Sequence, residues 1–230
     1  MIGVVVPAHD EEAVLDACLQ SLQVAATHPG LYGEPVRIVV ALDACSDRSE
    51  DIALRRGVQT VRVERRNVGA ARSAGVDLAL QAGARWLGFT DADSTVAPDW
   101  LVQQLRHAEG AQCDAVCGTV EVRQWGGYGL AVQQRYHAGY TDAPGHRHIH
   151  GANLGVSARA YCHVGGFAEL RTGEDVALVG ALEAAGLRIA WTNAPRVVTS
   201  ARSHFRAPAG FGAHLAGLVV PALLAAGAAA

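Results

Sequence analysis

The chain is 230 residues long, half of them apolar and 18% charged, with a formal net charge of −3. That length supports one large domain with a substantial core, the apolar share excludes a disordered chain, and the mildly acidic balance argues against nucleic acid as the main partner. All 19 basic residues are Arg and none is Lys, which removes a Walker-type phosphate loop and Schiff-base chemistry, since both need an ε-amine.

Ile2 to Val6 is a β-branched run that should form a strand ended by Pro7, with Ala8, His9, Asp10, Glu11 and Glu12 in the turn beyond. Val14, Leu15, Cys18, Leu19 and Leu22 then recur at helical spacing. Val36 to Leu42 predicts a second strand that ends on Asp43, and Ser46 or Asp47 can cap a helix that stops at Gly57. Thr60 to Val63 predicts a third strand leading to Arg65, Arg66, Asn67 and Gly69. A helix follows, with Arg72 in its first turn and its end near Gly83. Trp86 to Phe89 is apolar and breaks off at Asp91 and Asp93, so a buried strand delivers two carboxylates to one turn. Pro98 is placed to open the next helix.

This alternation of strands and helices with short connections predicts a largely parallel sheet covered by helices. Ligands of such sheets sit outside the carboxyl ends of the strands, which is where His9, Glu11, Asp43, Asn67, Asp91 and Asp93 fall. An i, i+2 carboxylate pair at that edge suits Mg²⁺ or Mn²⁺, whose remaining octahedral positions go to water and phosphate oxygens.

The second half is less regular. Ala115 to Val122 predicts one strand, Gly126 to Gly129 a turn, and Leu130 to Tyr140 a helix. His146, His148 and His150 would share a face if extended; no fourth ligand for zinc accompanies them, so a polar segment lining a cleft is the expectation. Gly165 and Gly166 form a turn before Phe167, Glu174 and Asp175 open a helix that ends at Gly186, and Leu187 to Trp191 predicts a last strand. Residues 211–230 carry no acid or Arg and are mostly Ala, Leu, Val and Gly. They predict a packed terminal helix, with peripheral membrane contact or a homodimer contact as its other uses. Five scattered cysteines and a first strand beginning at Met1 point to reduced thiols in a cytoplasmic protein.

Several stretches now stand in a recognisable order: Val4 to Glu12, Asp43-Ala44-Cys45-Ser46-Asp47, Asn67 to Gly75, Asp91-Ala92-Asp93, and Gly165-Gly166-Phe167 followed by Glu174-Asp175. Over residues 2 to 204 the chain resembles the family 2 glycosyltransferases, nucleotide-sugar-dependent enzymes. The resemblance implies an α/β GT-A fold, a Rossmann-like, mostly parallel central sheet flanked by helices with a smaller acceptor-side half. Residues 1–210 would form a single domain, with a nucleotide-sugar-binding half over 1–95 and an acceptor-side half over 96–210.

It also implies roles. Pro7, Ala8, His9, Glu11 and Asp43 would hold the nucleoside of a UDP- or GDP-linked sugar, and Arg72 would approach its diphosphate. Asn67, Gly69 and Ala92 complete the donor-binding set. Asp93 would hold Mg²⁺ or Mn²⁺, with Asp91 beside the sugar or the metal. Asp175 would be the general base that deprotonates an acceptor hydroxyl, on a saccharide, a lipid-linked group or a small molecule, and the anomeric carbon would invert. The resemblance leaves an alternative in which His204 is a further metal ligand and configuration is retained. A sugar-phosphate nucleotidyltransferase would want a Gly- and cation-rich loop where His9 to Glu12 stand. A non-catalytic alternative is a nucleotide-sugar-binding partner of a membrane polysaccharide complex.

Overall fold

The computed structural model describes residues 1–202 and 210–219. Its first half alternates β1 (Ile2–Ala8), α1 (Leu15–Ala26), β2 (Val36–Asp43), α2 (Ser49–Arg55), β3 (Gln59–Val63), α3 (Val68–Gln81), β4 (Trp86–Phe89), β5 (Thr95–Val96) and α4 (Trp100–Gly110). The second half adds β6 (Ala115–Cys117), β7 (Glu121–Val122), α5 (Leu130–Gly139), β8 (Leu154–Ser157), α6 (Ala158–His163), α7 (Glu174–Ala184), β9 (Ile189–Trp191), β10 (Val197–Thr199) and α8 (Phe211–Gly217).

One sheet carries the strands in the order β3-β2-β1-β4-β8-β6-β9, and a smaller one pairs β5, β10 and β7. In the larger sheet only β8 runs against its neighbours, antiparallel to both β4 and β6. The valine run of β1 follows from a sheet covered on both faces. Val4 and Val6 pack with Leu15, Leu19, Leu22, Leu101 and Leu105, whereas Val5 packs with Val76, Leu87, Phe89, Leu178 and Leu182. Side chains alternate across a strand, so one apolar run fills two cores, and each fully buried Leu or Phe contributes about 1.5–3 kcal/mol.

Several expectations need correction. β1 continues through Pro7 to Ala8, paired with β2 as far as Ala8–Leu42. Its pairing with β4 stops at Val5–Phe89, so the N–H that Pro7 lacks is not needed on that side. The single strand expected over 115–122 is two: β6 belongs to the large sheet and β7 to the small one. His146 to His150 form no strand. Helix α2 begins at Ser49, and Asp47 serves it from two positions upstream, its Oδ1 accepting from the Ser49 N–H at 2.9 Å. The cysteines are all free. No helix among the described residues is long and apolar enough to cross a membrane. His204 and residues 220–230 lie outside the described residues.

The topology delivers the polar loops to one edge. β1, β2 and β4 are parallel, so their exits lie side by side. Because β8 runs the other way, its entrance, Gly151 to Asn153, arrives at that same edge. Asn153 is buried there and joins the two sheets. Its Oδ1 accepts from Trp100 Nε1 at 2.9 Å, and its Nδ2 donates to the Thr119 and Pro195 carbonyls at 2.7 and 2.9 Å. Replacing Asn153 with Ala strands three buried groups. Asn153→Ala is therefore expected to destabilise the chain by about 3 kcal/mol or more, read from urea unfolding.

Candidate active site

A cleft of about 820 Å³ opens at this edge, within the range that holds small-molecule ligands. Pro7, Ala8, His9, Glu11, Asp43, Asn67, Arg72, Asp91, Ala92, Asp93 and Asp175 all line it. Of the residues expected at the site, Gly69 does not line it. Gly69 instead lies so close to the Ala168 carbonyl that a Cβ would collide with it, so this glycine seats α3 against the 168–170 segment.

Asp43 organises one side of the cleft. Its Oδ1 accepts from the backbone N–H groups of Arg65 and Arg66, both at 2.8 Å, and its Oδ2 accepts from Asn67 at 2.6 Å. Asn67 in turn caps α3 by accepting from the Ala70 N–H at 3.0 Å. His9 Nδ1 donates to the Asp43 carbonyl at 2.5 Å, tying the exit of β1 to that of β2. Most of the Asp43 carboxylate is thus committed to the loop, with one lone-pair direction left on Oδ2.

Arg72 lies in the second turn of α3 rather than the first, and it is buried. Its guanidinium ion-pairs with Glu174 at the start of α7 and with Asp91 Oδ1 at 2.5 Å. Gly151 makes room for it, since a Cβ there would strike the guanidinium. The acid pair at the start of α7 is therefore divided. Glu174 is buried on Arg72, while the Asp175 carboxylate is held by backbone N–H groups of Gly151 at 2.7 Å and Val176 at 2.8 Å. Each Asp175 oxygen retains a lone pair for a further donor.

A second guanidinium serves the floor of the cleft. Arg202 forks onto Glu11 at 2.6 and 2.7 Å and reaches Asp93 Oδ2 at 3.3 Å. Burial, and then the neighbouring Asp91 charge, push the Asp93 carboxyl up to about 6. Cys18, its thiol raised by burial, donates to the Asp91 carbonyl at 3.4 Å and fixes the turn from below. Glu11, Asp91, Asp93 and Glu174 outnumber Arg72 and Arg202 by two formal charges. A divalent cation held by Asp93, with Asp91 near it, would balance that deficit. Another group of ligand-type side chains, Asp10, Cys45 and Asp47, converges at the rim. There Asp10 accepts from the N–H groups of Ser46 and Asp47, which is the work of a turn.

The opposite wall is aromatic. Tyr136 stacks on Tyr140 with centroids 4.8 Å apart, Tyr140 on His148 at 4.1 Å, and His148 on His146 at 5.6 Å. Tyr140 is also hydrogen-bonded to His150 Nε2 at 2.9 Å, and burial brings that imidazole down to about 4. His148 Nε2 accepts from the Thr141 N–H, and His146 accepts from the His148 N–H and donates to the Thr192 carbonyl. His148 and His150 therefore belong to the wall, with His146 buried behind them, and each has a ring nitrogen engaged by protein. Phe211 of α8 meets His150 edge-on at 6.0 Å, so the described start of the terminal segment is a packed helix.

Tyr140, Arg202 and Gly151 were not singled out from the sequence as site residues. Tyr140 sits at the end of a helix with ordinary spacing. Arg202 stands in a coil without periodicity, and a glycine that admits a guanidinium leaves no local pattern.

The family model described as Glycosyl transferase family 2 matches residues 3–167. Among solved structures, S. aureus TarS 1–349 in complex with UDP-GlcNAc superposes with a TM-score of 0.67 at 15% identity, covering 91% of this chain and 61% of that one. A mannosyltransferase from Pyrobaculum calidifontis in complex with GDP-Man and Mn²⁺ gives 0.67 at 18% identity, covering 88% and 57%. Glucosyl-3-phosphoglycerate synthase from Mycobacterium tuberculosis, in complex with Mn²⁺, UDP and glucosyl-3-phosphoglycerate, gives 0.60 at 20% identity, covering 88% and 72%. The chain thus spans about three-fifths of the length of the first two, and at these identities the likeness is one of fold. No curated protein matches the chain.

Removing one member of a buried ion pair leaves the other charge uncompensated. Arg72→Leu strands Glu174 and is expected to cost about 3–5 kcal/mol in urea unfolding, whereas Glu174→Gln, which leaves Arg72 paired with Asp91, should cost less.

Proposed function

The chain belongs to glycosyl transferase family 2, and we propose that it transfers a sugar from a UDP- or GDP-linked donor to an acceptor hydroxyl, with a divalent cation at Asp93 and Asp175 as general base. The observation that carries this is one cleft, at the carboxyl ends of parallel strands, lined by Asp43, Asp91, Asp93 and Asp175 together. Donor complexes of the similar folds, UDP-GlcNAc in TarS and GDP-Man with Mn²⁺ in the P. calidifontis enzyme, agree with the donor class.

The nucleoside occupies the side built by Pro7, Ala8, His9 and the Asp43 loop, where Asp43 keeps one acceptor direction for a base N–H. The diphosphate faces the start of α3 at Asn67 and Val68 and the Arg66 side chain, where helix-end N–H groups and a guanidinium favour an anion. Arg72 acts at one remove. Its guanidinium is committed to Asp91 and Glu174, so it sets the direction of Asp91 rather than reaching phosphate. Mg²⁺ or Mn²⁺ at Asp93, when bound, supplies Lewis-acid neutralisation of the charge that builds on the leaving nucleoside diphosphate.

The acceptor enters between Asp175 and the aromatic wall. Asp175, steadied by the Gly151 and Val176 N–H groups, takes the hydroxyl proton as the oxygen attacks the anomeric carbon. Attack from the face opposite the leaving group inverts that carbon. The charge deficit around Asp93 fits the cation, and the separate holding of Asp175 fits a base that is not a metal ligand.

Asp93→Ala is expected to abolish the Mn²⁺ dependence of UDP or GDP binding; calorimetry with and without Mn²⁺ checks this, and unchanged metal dependence would remove Asp93 from the role. Asp175→Asn should keep nucleotide-sugar binding but slow transfer by roughly 10²–10⁴-fold, the scale of a general base. A panel of nucleotide sugars ranked by thermal shift with Mn²⁺ supplies the donor for that assay, and undiminished transfer by the variant would point to retention.

A further inference from the structure

We propose that Arg202 is a resident cation that occupies the metal's side of Asp93 in the nucleotide-free protein, so that a divalent ion binds there only in exchange for the Arg202–Asp93 contact. This rests on the metal role given to Asp93 above. The two contacts of the guanidinium are unequal. Its fork on Glu11 is short and doubled, at 2.6 and 2.7 Å, on a carboxylate only 8% exposed. Its reach to Asp93 Oδ2 is single and longer, at 3.3 Å. Glu11 is thus the anchor, and Asp93 is the partner that can be surrendered.

The arginine is also held from behind. It stands three residues beyond the end of β10, Ala201 before it is buried, and its own N–H donates to Ser200 Oγ at 3.2 Å. When a divalent ion takes Asp93, the Arg202 charge therefore stays close by on Glu11. It has lost one ionic contact and repels the newcomer across a partly desolvated gap. Both effects oppose metal binding while no anionic nucleotide is present. A side chain that lacked the charge would remove both the contact with Asp93 and the repulsion, and the empty cleft would take up metal more readily.

The test uses the full chain without nucleotide and counts free Mn²⁺ by its electron paramagnetic resonance signal. Arg202→Gln is expected to bind Mn²⁺ on the order of tenfold more tightly than the unaltered chain. Arg202→Lys keeps a charge at the same place and should remain within about threefold of it. Adding Asp93→Asn to Arg202→Gln should erase the gain. Equal or weaker Mn²⁺ binding by Arg202→Gln would overturn the exchange while leaving Asp93 as a metal ligand. So would equal gains in the Gln and Lys variants, or a gain that survives Asp93→Asn. A chain that takes up no Mn²⁺ in any variant, with UDP or GDP added as well as without, would overturn the metal role of Asp93 and this proposal with it.

Discussion

The buried guanidinium of Arg72 holds three parts of the molecule in register. It leaves α3, meets Glu174 at the start of α7 and ends on Asp91 in the turn after β4. Inside a protein such a charge is tolerated only when its partners are in place, because desolvation costs several kcal/mol per ion before attraction offsets it. The arrangement is consequently close to all-or-none. If α7 moved outward, Glu174 would be left charged and buried, and Asp91 would lose its direction. Phe167 adds to the confinement, its ring centre lying 5.7 Å from the guanidinium carbon.

Around that strut the cleft is built from groups that hold one another. Asp43 is spent largely on the 65–67 loop, Asp175 on the Gly151 and Val176 N–H groups, and Glu11 on Arg202. Such mutual satisfaction orients a site before any ligand arrives, which is where electrostatic catalysis draws most of its strength. Asp93 is the exception. It is partly buried, its one ion-pair contact among the described residues is long, and its surroundings favour the protonated form up to about 6. Among the cleft carboxylates whose ion pairs are described, the one with the longest is thus Asp93, in the turn after β4.

The aromatic wall gives the other half of the cleft a different character. Tyr140 lies between Tyr136 and His148, so both of its faces are covered. It therefore presents to the cleft edges and polar atoms rather than an open stacking platform. Burial brings His150 down to about 4, so that imidazole adds no positive charge to the wall near neutrality.

Local pattern was enough for the first half of the fold. The Val-rich β1, the run ending on Asp43, the Asn67 cap and the Asp91–Asp93 turn each announce themselves within about ten residues, and parallel topology then forces their exits to one edge. Periodicity could not say that residues 115–122 divide between two sheets, or that β8 reverses and brings Gly151 and Asn153 to the site. Nor could it pair Arg72 with Glu174, 102 residues away, or Arg202 with Glu11, 191 residues away. A strand or helix is fixed by neighbours in the chain and leaves its period in the residues. An ion pair between distant segments depends on where whole elements pack, and no spacing along the chain records it. The sequence alone determined that the strand-end acids of the first half are delivered to the cleft edge; only the tertiary structure decided which residues from the second half join them and which of all these are already engaged by protein.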